Sequence, residues 1–303
     1  MEAESGMMEQ LRGKTALISG AVSGIGLGIA KTLAREGTKI ALGYRRLDHL
    51  EAAMGWFKAN GFSDVHPVRL DVADVESWRS AADETEAAFG KIHLLINNAG
   101  TTFAGTIDKA TPDDWQWIMQ VNFQGVVNGL MTCIPRIRRH GEGGHIVNVS
   151  SMAAYLPAAE VGLYSASKFA VRGLTAGLRP TLAGDNIGVS ELAPGLTRSN
   201  IHHAAENRPP EFANTSFRPD PGFVHAFGEM MSLGMDPEEV GRKAVAGILA
   251  NVPVIFSHPE FREEFRAACE ELIAAFPDEP VPPERQAIED RRRNASGSII
   301  ETN

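Results

Sequence analysis

The stretch Lys14–Gly43, KTALISGAVSGIGLGIAKTLAREGTKIALG, decides the fold. Its opening run, KTALIS, is short, mostly apolar and stopped by a glycine, which reads as a buried strand. GIGLGIAKTLAREG then carries apolar residues at helical spacing and closes on Gly37, where a glycine C-cap is expected. KIALG returns as a second strand. A strand, a helix and a strand in immediate succession form the repeating unit of a parallel sheet.

The unit repeats outward. LDHLEAAMGWFKANG predicts a helix closing at Gly61, VHPVRL a third strand, VESWRSAADETEAAFG a helix closing at Gly90, and IHLLIN a fourth strand. Residues 111–137 predict one long helix, with Thr111 as N-cap, Pro112 at the first position, and Asp113 and Asp114 complementing the helix dipole. GHIVNVSS is a fifth strand and YSASKFAVRGLTAGLRPTLAG a second long helix, in which Pro180 predicts a kink or an early end near Arg179. NIGVSELA is a sixth strand. After Pro194 the rhythm fails: residues 195–235 mix Asn, Pro and Gly with Ile201, Phe212, Phe217, Phe223, Phe227, Met230 and Met231, the composition of an irregular lid. A helix in PEEVGRKAVAGILAN, a strand in VPVIFS and a helix in EFREEFRAACEELIAAF follow. The expected architecture is α/β, a single doubly wound parallel sheet of about seven strands with helices on both faces. Its expected limits are residues 11–275, after a disordered lead over 1–10 and before a fraying Pro-rich tail over 276–303, with Met7 and Met8 as alternative starts to Met1.

Bulk properties narrow the function. The chain has 303 residues, 43% hydrophobic and 22% charged, and a net charge of -9, which suits a soluble globular protein and argues against a nucleic-acid partner. No run approaches the ~18 apolar residues that cross a bilayer, and the acidic start lacks a secretory apolar stretch, so a cytoplasmic protein with no membrane partner is expected. Cys133 and Cys269 form neither a C-x-x-C nor a metal-ligand spacing, and no metal site is expected from them.

Two local patterns carry chemistry. SGAVSGIG sets Gly20, Gly24 and Gly26 where the first strand turns into a helix; glycines there permit a tight turn and a close approach of pyrophosphate to a helix N-terminus. Further on, LYSASKFAV puts Tyr164 and Lys168 four residues apart, on one face of a helix. Alone, that pair fits an ordinary helix surface equally well.

Taken together, the motifs resemble the short-chain dehydrogenase/reductase family, over roughly Lys14 to Ser199. Gly20, Ala21, Val22, Ser23, Gly24, Ile25 and Gly26 match its T-G-x-x-x-G-x-G loop, with Ser19 in place of threonine. Asp71 and Val72 resemble the pair that contacts adenine, and Asn97, Asn98, Ala99 and Gly100 the N-N-A-G run bordering the cofactor. Pro194 and Gly195 match the turn beside nicotinamide, with Thr197 and Ser199 where valine and threonine are common. The resemblance implies a Rossmann-type fold and a catalytic tetrad of Asn122, Ser151, Tyr164 and Lys168. Ser151 is preferred over Ser150 because the family's serine stands about thirteen residues before its tyrosine.

The implied reaction interconverts a secondary alcohol and a ketone. Tyr164 would exchange a proton with the substrate oxygen while hydride passes to or from nicotinamide, and Ser151 would hold that oxygen. Lys168 would bind the ribose and lower the phenol pKa by about 1 to 3 units. Asn122 would hold a relay water, or else serve as a structural polar residue. Tyr44 stands where NAD-preferring relatives carry an acid, and Arg45 and Arg46 follow, so NADP(H) is favoured over NAD(H); RRLDH as a solvated helix start, and Ser23 where many NADP users carry a basic residue, weigh the other way. The apolar lid suits a bulky or aromatic substrate, and the C-terminal part loosely resembles bacterial aryl-ether Cα-dehydrogenases; the same residues would serve equally to anchor the lid to the core or to a neighbouring subunit. A 3-oxoacyl-carrier-protein reductase-like enzyme and a noncatalytic NADP-sensing protein on this fold remain alternatives. The family implies a homodimer or homotetramer packed through the two long helices.

Overall fold

Strand β1 (Thr15–Ile18) lies mid-sheet, hydrogen-bonded in parallel to β2 (Lys39–Tyr44) on one side and to β4 (Leu94–Asn97) on the other. The computed structural model describes residues 10–295 except 103, 104, 200, 202, 203, 205, 207, 214 and 216–219, and gives 221, 223 and 295 by backbone alone. The expected lead over 1–10, with Met7 and Met8, falls outside the described residues apart from Gln10.

The seven strands run in the order β3-β2-β1-β4-β5-β6-β7, all parallel, adding β3 (Val65–Arg69), β5 (Gly144–Val149), β6 (Ile187–Ala193) and β7 (Val254–Phe256). Alternation along the strands explains the two covered faces. Ala16 and Ile18 of β1, Ile40 and Leu42 of β2, Leu94 and Ile96 of β4, and Val147 and Val149 of β5 point to one side. There they meet α1 (Gly24–Arg35), α2 (Leu50–Ala59) and α8 (Pro237–Leu249). Leu17, Ala41, Leu95 and Ile146 point to the other, against α3 (Val75–Phe89), α5 (Gly125–His140) and α6 (Gly162–Leu182). Each large apolar side chain sealed in this way contributes about 1.5–3 kcal/mol. Pro67 sits within β3, where its missing N–H is tolerated because β3 is an edge strand.

Helices α1 and α8 touch backbone to backbone. A Cβ on Gly28 would stand 2.0 Å from the Pro237 carbonyl oxygen, and one on Gly241 would stand 2.4 Å from that of Gly28. Only hydrogen fits at either position.

Four expectations about elements need correction. The segment from Thr111 is not one helix: α4 (Pro112–Met119) passes through a π-turn over Gln120–Gln124, marked by a bond from the Gly125 N–H to the Gln120 carbonyl, before α5 begins. Its start is as expected, with Thr111 and Asp114 forming a reciprocal capping box. Pro180 does not end α6, which runs on to Leu182; the carbonyl that loses its donor to proline belongs to Ala176, on the exposed side of the helix, where solvation lowers the cost. The segment after β6 is not wholly irregular, for it contains α7 (Pro221–Ser232). Beyond α9 (Arg262–Ala274) the tail likewise forms a helix, α10 (Pro283–Ala295), with its described side chains almost all exposed.

Candidate active site

The ends of β1 and β4 are stitched together at the point where strand order reverses. Ser19 Oγ accepts from the Asn98 and Ala99 N–H groups, each at 3.0 Å, while Asn98 Nδ2 donates to the carbonyls of Ser19 (2.9 Å) and Gly20 (3.1 Å). A hydroxyl is all this stitch asks of position 19, so serine serves where threonine is usual. Gly20 has φ +63° and Gly24 φ +50°, the left-handed region that glycine alone enters freely. A Cβ on Gly26 would fall 2.3 Å from the Gly20 carbonyl oxygen. Helix α1 starts at Gly24 without a side-chain cap from Ser23 and without an acid in its first turn. Its first N–H groups and positive dipole end are therefore offered to an anion, and this bare cradle fits the pyrophosphate of a dinucleotide. Ile25 packs back onto the core, and Ser199 sits over the loop, its Cβ 3.3 Å from where a Cβ on Gly24 would be.

Beyond β3, Asp71 accepts from the Ala73 N–H (3.0 Å), and the Val72 carbonyl accepts from Trp78 Nε1 (3.2 Å) and Asn128 Nδ2 (3.0 Å). These bonds fix the turn beside the loop. Tyr44 ends β2, and after it Arg46 donates to Asp48 at 2.7 Å.

At the end of β5 the two serines take different partners. Ser151 stands near the phenol of Tyr164, whose pKa it acts to lower, and accepts from the Ala153 N–H at 3.1 Å, whereas Ser150, fully buried, bonds Glu191. Lys168, one turn along α6 from Tyr164, is also buried; its Nζ donates to the Val149 carbonyl at 2.9 Å and lies 5.6 Å from the Tyr164 ring centroid. A Cβ on Gly100 would stand 3.3 Å from Asn122 Oδ1 and 3.5 Å from Lys168 Nζ, so Gly100 leaves room where these two groups meet.

Asn122 lies in the π-turn with its amide fully engaged. Its Nδ2 donates to the Thr101 carbonyl and to Ser167 Oγ, both at 2.9 Å, and its Oδ1 accepts from the Thr101 N–H at 2.8 Å. The side chain thus acts as a tie between the β4 loop and α6.

Electrostatics overturn one expectation. Burial lowers the Lys168 pKa to about 8, opposed by the carboxylate of Glu191. Burial also raises that of Tyr164, opposed by the Ser151 hydrogen bond. Among the protein's own groups, desolvation outweighs the Ser151 hydroxyl, and the phenol is shifted up rather than down.

The Pro194–Gly195 turn is held from outside the expected motifs. His258, buried after β7, accepts from the Gly195 N–H through Nδ1 (2.9 Å) and donates from Nε2 to the Leu196 carbonyl (2.9 Å). The Pro194 carbonyl accepts from the Met152 N–H (2.9 Å), and Thr197 Oγ1 donates to the Gly195 carbonyl (3.2 Å), joining this turn to the loop of Ser151. Of the lid residues, Phe212 and Met231 are buried, Phe212 against Trp117, Ile118 and Leu163, while Met230 is exposed. Phe217 and the side chain of Phe223 lie outside the described residues. The segment is fastened to α4 by Arg208 and Thr215, both bonded to the fully buried Asp114.

His258 and Glu191 escaped the sequence reading, although a glutamate within the apolar run GVSELA was a signal. At the opposite rim of the sheet, His93, His140 and Glu142 gather within 4.8 Å. Thr15 N–H donates to His93 Nδ1, which puts the proton on Nε2 facing Glu142, while Lys14 and Lys91 crowd the same carboxylate. That tautomer and those ammoniums oppose a cation there.

Comparison with known proteins gives the geometry its context. The profile of a family described as short chain dehydrogenase matches residues 14–209. A C alpha-dehydrogenase of Sphingobium sp. is 34% identical over 285 residues, covering 93% of each chain. The crystal structure of a short chain dehydrogenase/reductase from Burkholderia phymatum in complex with NAD superposes with a TM-score of 0.83 at 30% identity, over 90% of this chain and 99% of that one. An NADP-dependent (R)-specific alcohol dehydrogenase of Lentilactobacillus kefiri is 34% identical over 198 residues, 64% of this chain and 77% of its own. With its seven-stranded parallel sheet, its glycine turn at the β1–β4 crevice and this match, the chain belongs to the short-chain dehydrogenase family, whose named members are oxidoreductases of alcohols and ketones.

Proposed function

We propose that this protein interconverts a bulky or aromatic secondary alcohol and its ketone with NADP(H), using Tyr164 as the proton-transferring group. The observation that carries the proposal is the buried Lys168 ammonium, 5.6 Å from the Tyr164 ring centroid and near Ser151, joined through the Asn98–Gly100 run to the glycine turn that opens α1. The nicotinamide, when bound, supplies or accepts the hydride. Gly20, Ser23, Gly24, Ile25 and Gly26 cradle the pyrophosphate, Asp71 and Val72 border adenine, and Asn98, Ala99, Gly100, Pro194, Gly195, Thr197 and Ser199 line the remaining length. Ser151 holds the substrate oxygen and Lys168 keeps positive charge beside the phenol. Because the amide of Asn122 is engaged, a relay water at this residue would bind its backbone.

Tyr44 in place of an acid, with Arg45 and Arg46 next to it, favours the 2′-phosphate of NADP(H). Arg46 would reach it only by releasing Asp48. The two relatives named for NAD and for NADP show that this family accommodates either. The aromatic preference rests on Phe212, packed against Trp117 and Ile118 of α4, on the buried Met231, and on likeness to the C alpha-dehydrogenase.

The test is NADPH consumption over a panel of aryl ketones, diketones and acetoacetyl thioesters, repeated with Tyr164→Phe. Loss of about 10²-fold or more in kcat is expected. Full activity in the variant would overturn the mechanism, and turnover confined to the thioesters would favour the acyl-carrier reductase reading.

A further inference from the structure

Glu191 is a buried charge that the proposed chemistry does not use. It stands on β6, paired in register with Asn148 of β5, and is 3% exposed. One carboxylate oxygen accepts from Ser150 Oγ and the other from the Tyr155 hydroxyl at 2.8 Å. Ser150 and Tyr155 are the two shoulders of the short turn that carries Ser151. A 3-10 turn over Met152–Ala154 lies between them, and Ser151 begins it. Arg172 closes the cluster from α6, one turn beyond Lys168; its guanidinium lies 3.8 Å from the Tyr155 ring centroid and donates to the Ala154 carbonyl at 2.8 Å. The segment clamped by Glu191 therefore includes, in adjacent residues, the hydroxyl that meets Tyr164, and it adjoins the Val149 carbonyl that receives Lys168.

We propose that Glu191 is a positioning residue for the proton-transfer centre: a single carboxylate fixes both ends of the Ser151 turn, and its charge supports the ammonium of Lys168. This rests on the reading of Tyr164 and Lys168 given above. The groups facing Glu191 are Ser150 of the β5 end, Tyr155 of the turn, and Arg172 and Lys168 of α6. Burial raises the Glu191 pKa, while the two hydroxyls and the two cations oppose the rise. In return the carboxylate opposes the fall that burial imposes on Lys168. An exposed loop serine would need no such anchor. Here the hydroxyl must hold one place while substrate comes and goes, and a carboxylate accepting two hydroxyl bonds fixes it more firmly than a neutral acceptor.

The experiment compares the parent protein with Glu191→Gln, Tyr155→Phe and Tyr164→Phe. Lysine labelled with 13C at Cε reports the protonation of Lys168 without turnover, its signal assigned by Lys168→Met. In Glu191→Gln the Lys168 midpoint should fall by about one unit. With NADP and an aryl carbinol, the rising limb of the oxidation profile should move to higher pH, because a less charged Lys168 stabilises the phenolate less. Tyr155→Phe, which keeps the charge and loses one anchor, should lower kcat several-fold with KM and the Lys168 midpoint unchanged. A parent-like Lys168 midpoint in Glu191→Gln, or parent-like kcat in Tyr155→Phe, overturns the inference while Tyr164→Phe is inactive. Activity in Tyr164→Phe overturns instead the reading beneath it.

Discussion

Arg45 and Arg46 are neighbours of one chemical type, but Arg46 is drawn onto Asp48, whose carboxyl it holds below the usual carboxylate range through a hydrogen bond. Replacement of Arg45 by alanine should raise KM for NADP by about 10- to 100-fold, the value of a charge-assisted hydrogen bond, and leave KM for NAD in place. An unchanged NADP KM would remove the cofactor preference. Sequence placed single residues where a spacing constrained them, as with Tyr164 and Lys168 one turn apart on α6. Tyr164 and Lys168 had to share a helix face, and thirteen residues separated Ser151 from the tyrosine. It failed where the partner was distant in the chain, since nothing near His258 announces that it grips Gly195. The direction of the Tyr164 shift was also illegible, because burial is a property of the assembled cleft rather than of the motif.

Among the elements, α4 and the segment after β6 depend on one buried ion pair. Asp114 is fully buried and Arg208 nearly so. Burial pushes the Asp114 carboxyl up, but bonds from Thr111, Arg208 and Thr215 outweigh it and hold the group below its ordinary value. Asp114→Asn removes the buried carboxylate that Arg208 and Thr215 share and should cost about 3–5 kcal/mol in urea unfolding, with a higher KM for bulky substrates. A loss under 1 kcal/mol would show that the segment is held by Phe212 instead. Capped and strongly periodic elements were readable: Thr111, Pro112 and Asp114 announce α4 as clearly as any sequence does. Helix α7 was not. PGFVHAFGEMMS has two glycines and no acid in its first turn, so local propensity gives little notice of it.

For the whole molecule, the parallel sheet was legible from β1 outward because each strand alternates its apolar residues between two covered faces. The titratable group buried between those faces was not. His145 is buried in β5, hydrogen-bonded to Ser190, and burial lowers its pKa to about 3. Unfolding restores a value near 6.5. The unfolded chain therefore binds the extra proton first, so stability from this residue is complete above about pH 6.5 and is lost as pH falls toward 3. His145→Gln should move the midpoint of acid unfolding, followed by circular dichroism, to lower pH; an unmoved midpoint would assign acid sensitivity to other groups.

The π-turn at Gln120–Gln124 has a consequence for chain length. It holds one residue more than an α-helical path between the same ends would need. Deleting a single residue there would let a plain α-helical path join the same ends, leaving α4 and α5 in their present phase. Asn122 would be drawn off Thr101 and Ser167, while Trp117 and Leu130 would keep their present neighbours. The turn is thus a built-in insertion that the rod absorbs without turning, and a length variant that loses it should retain helix content yet lose the active-site tie.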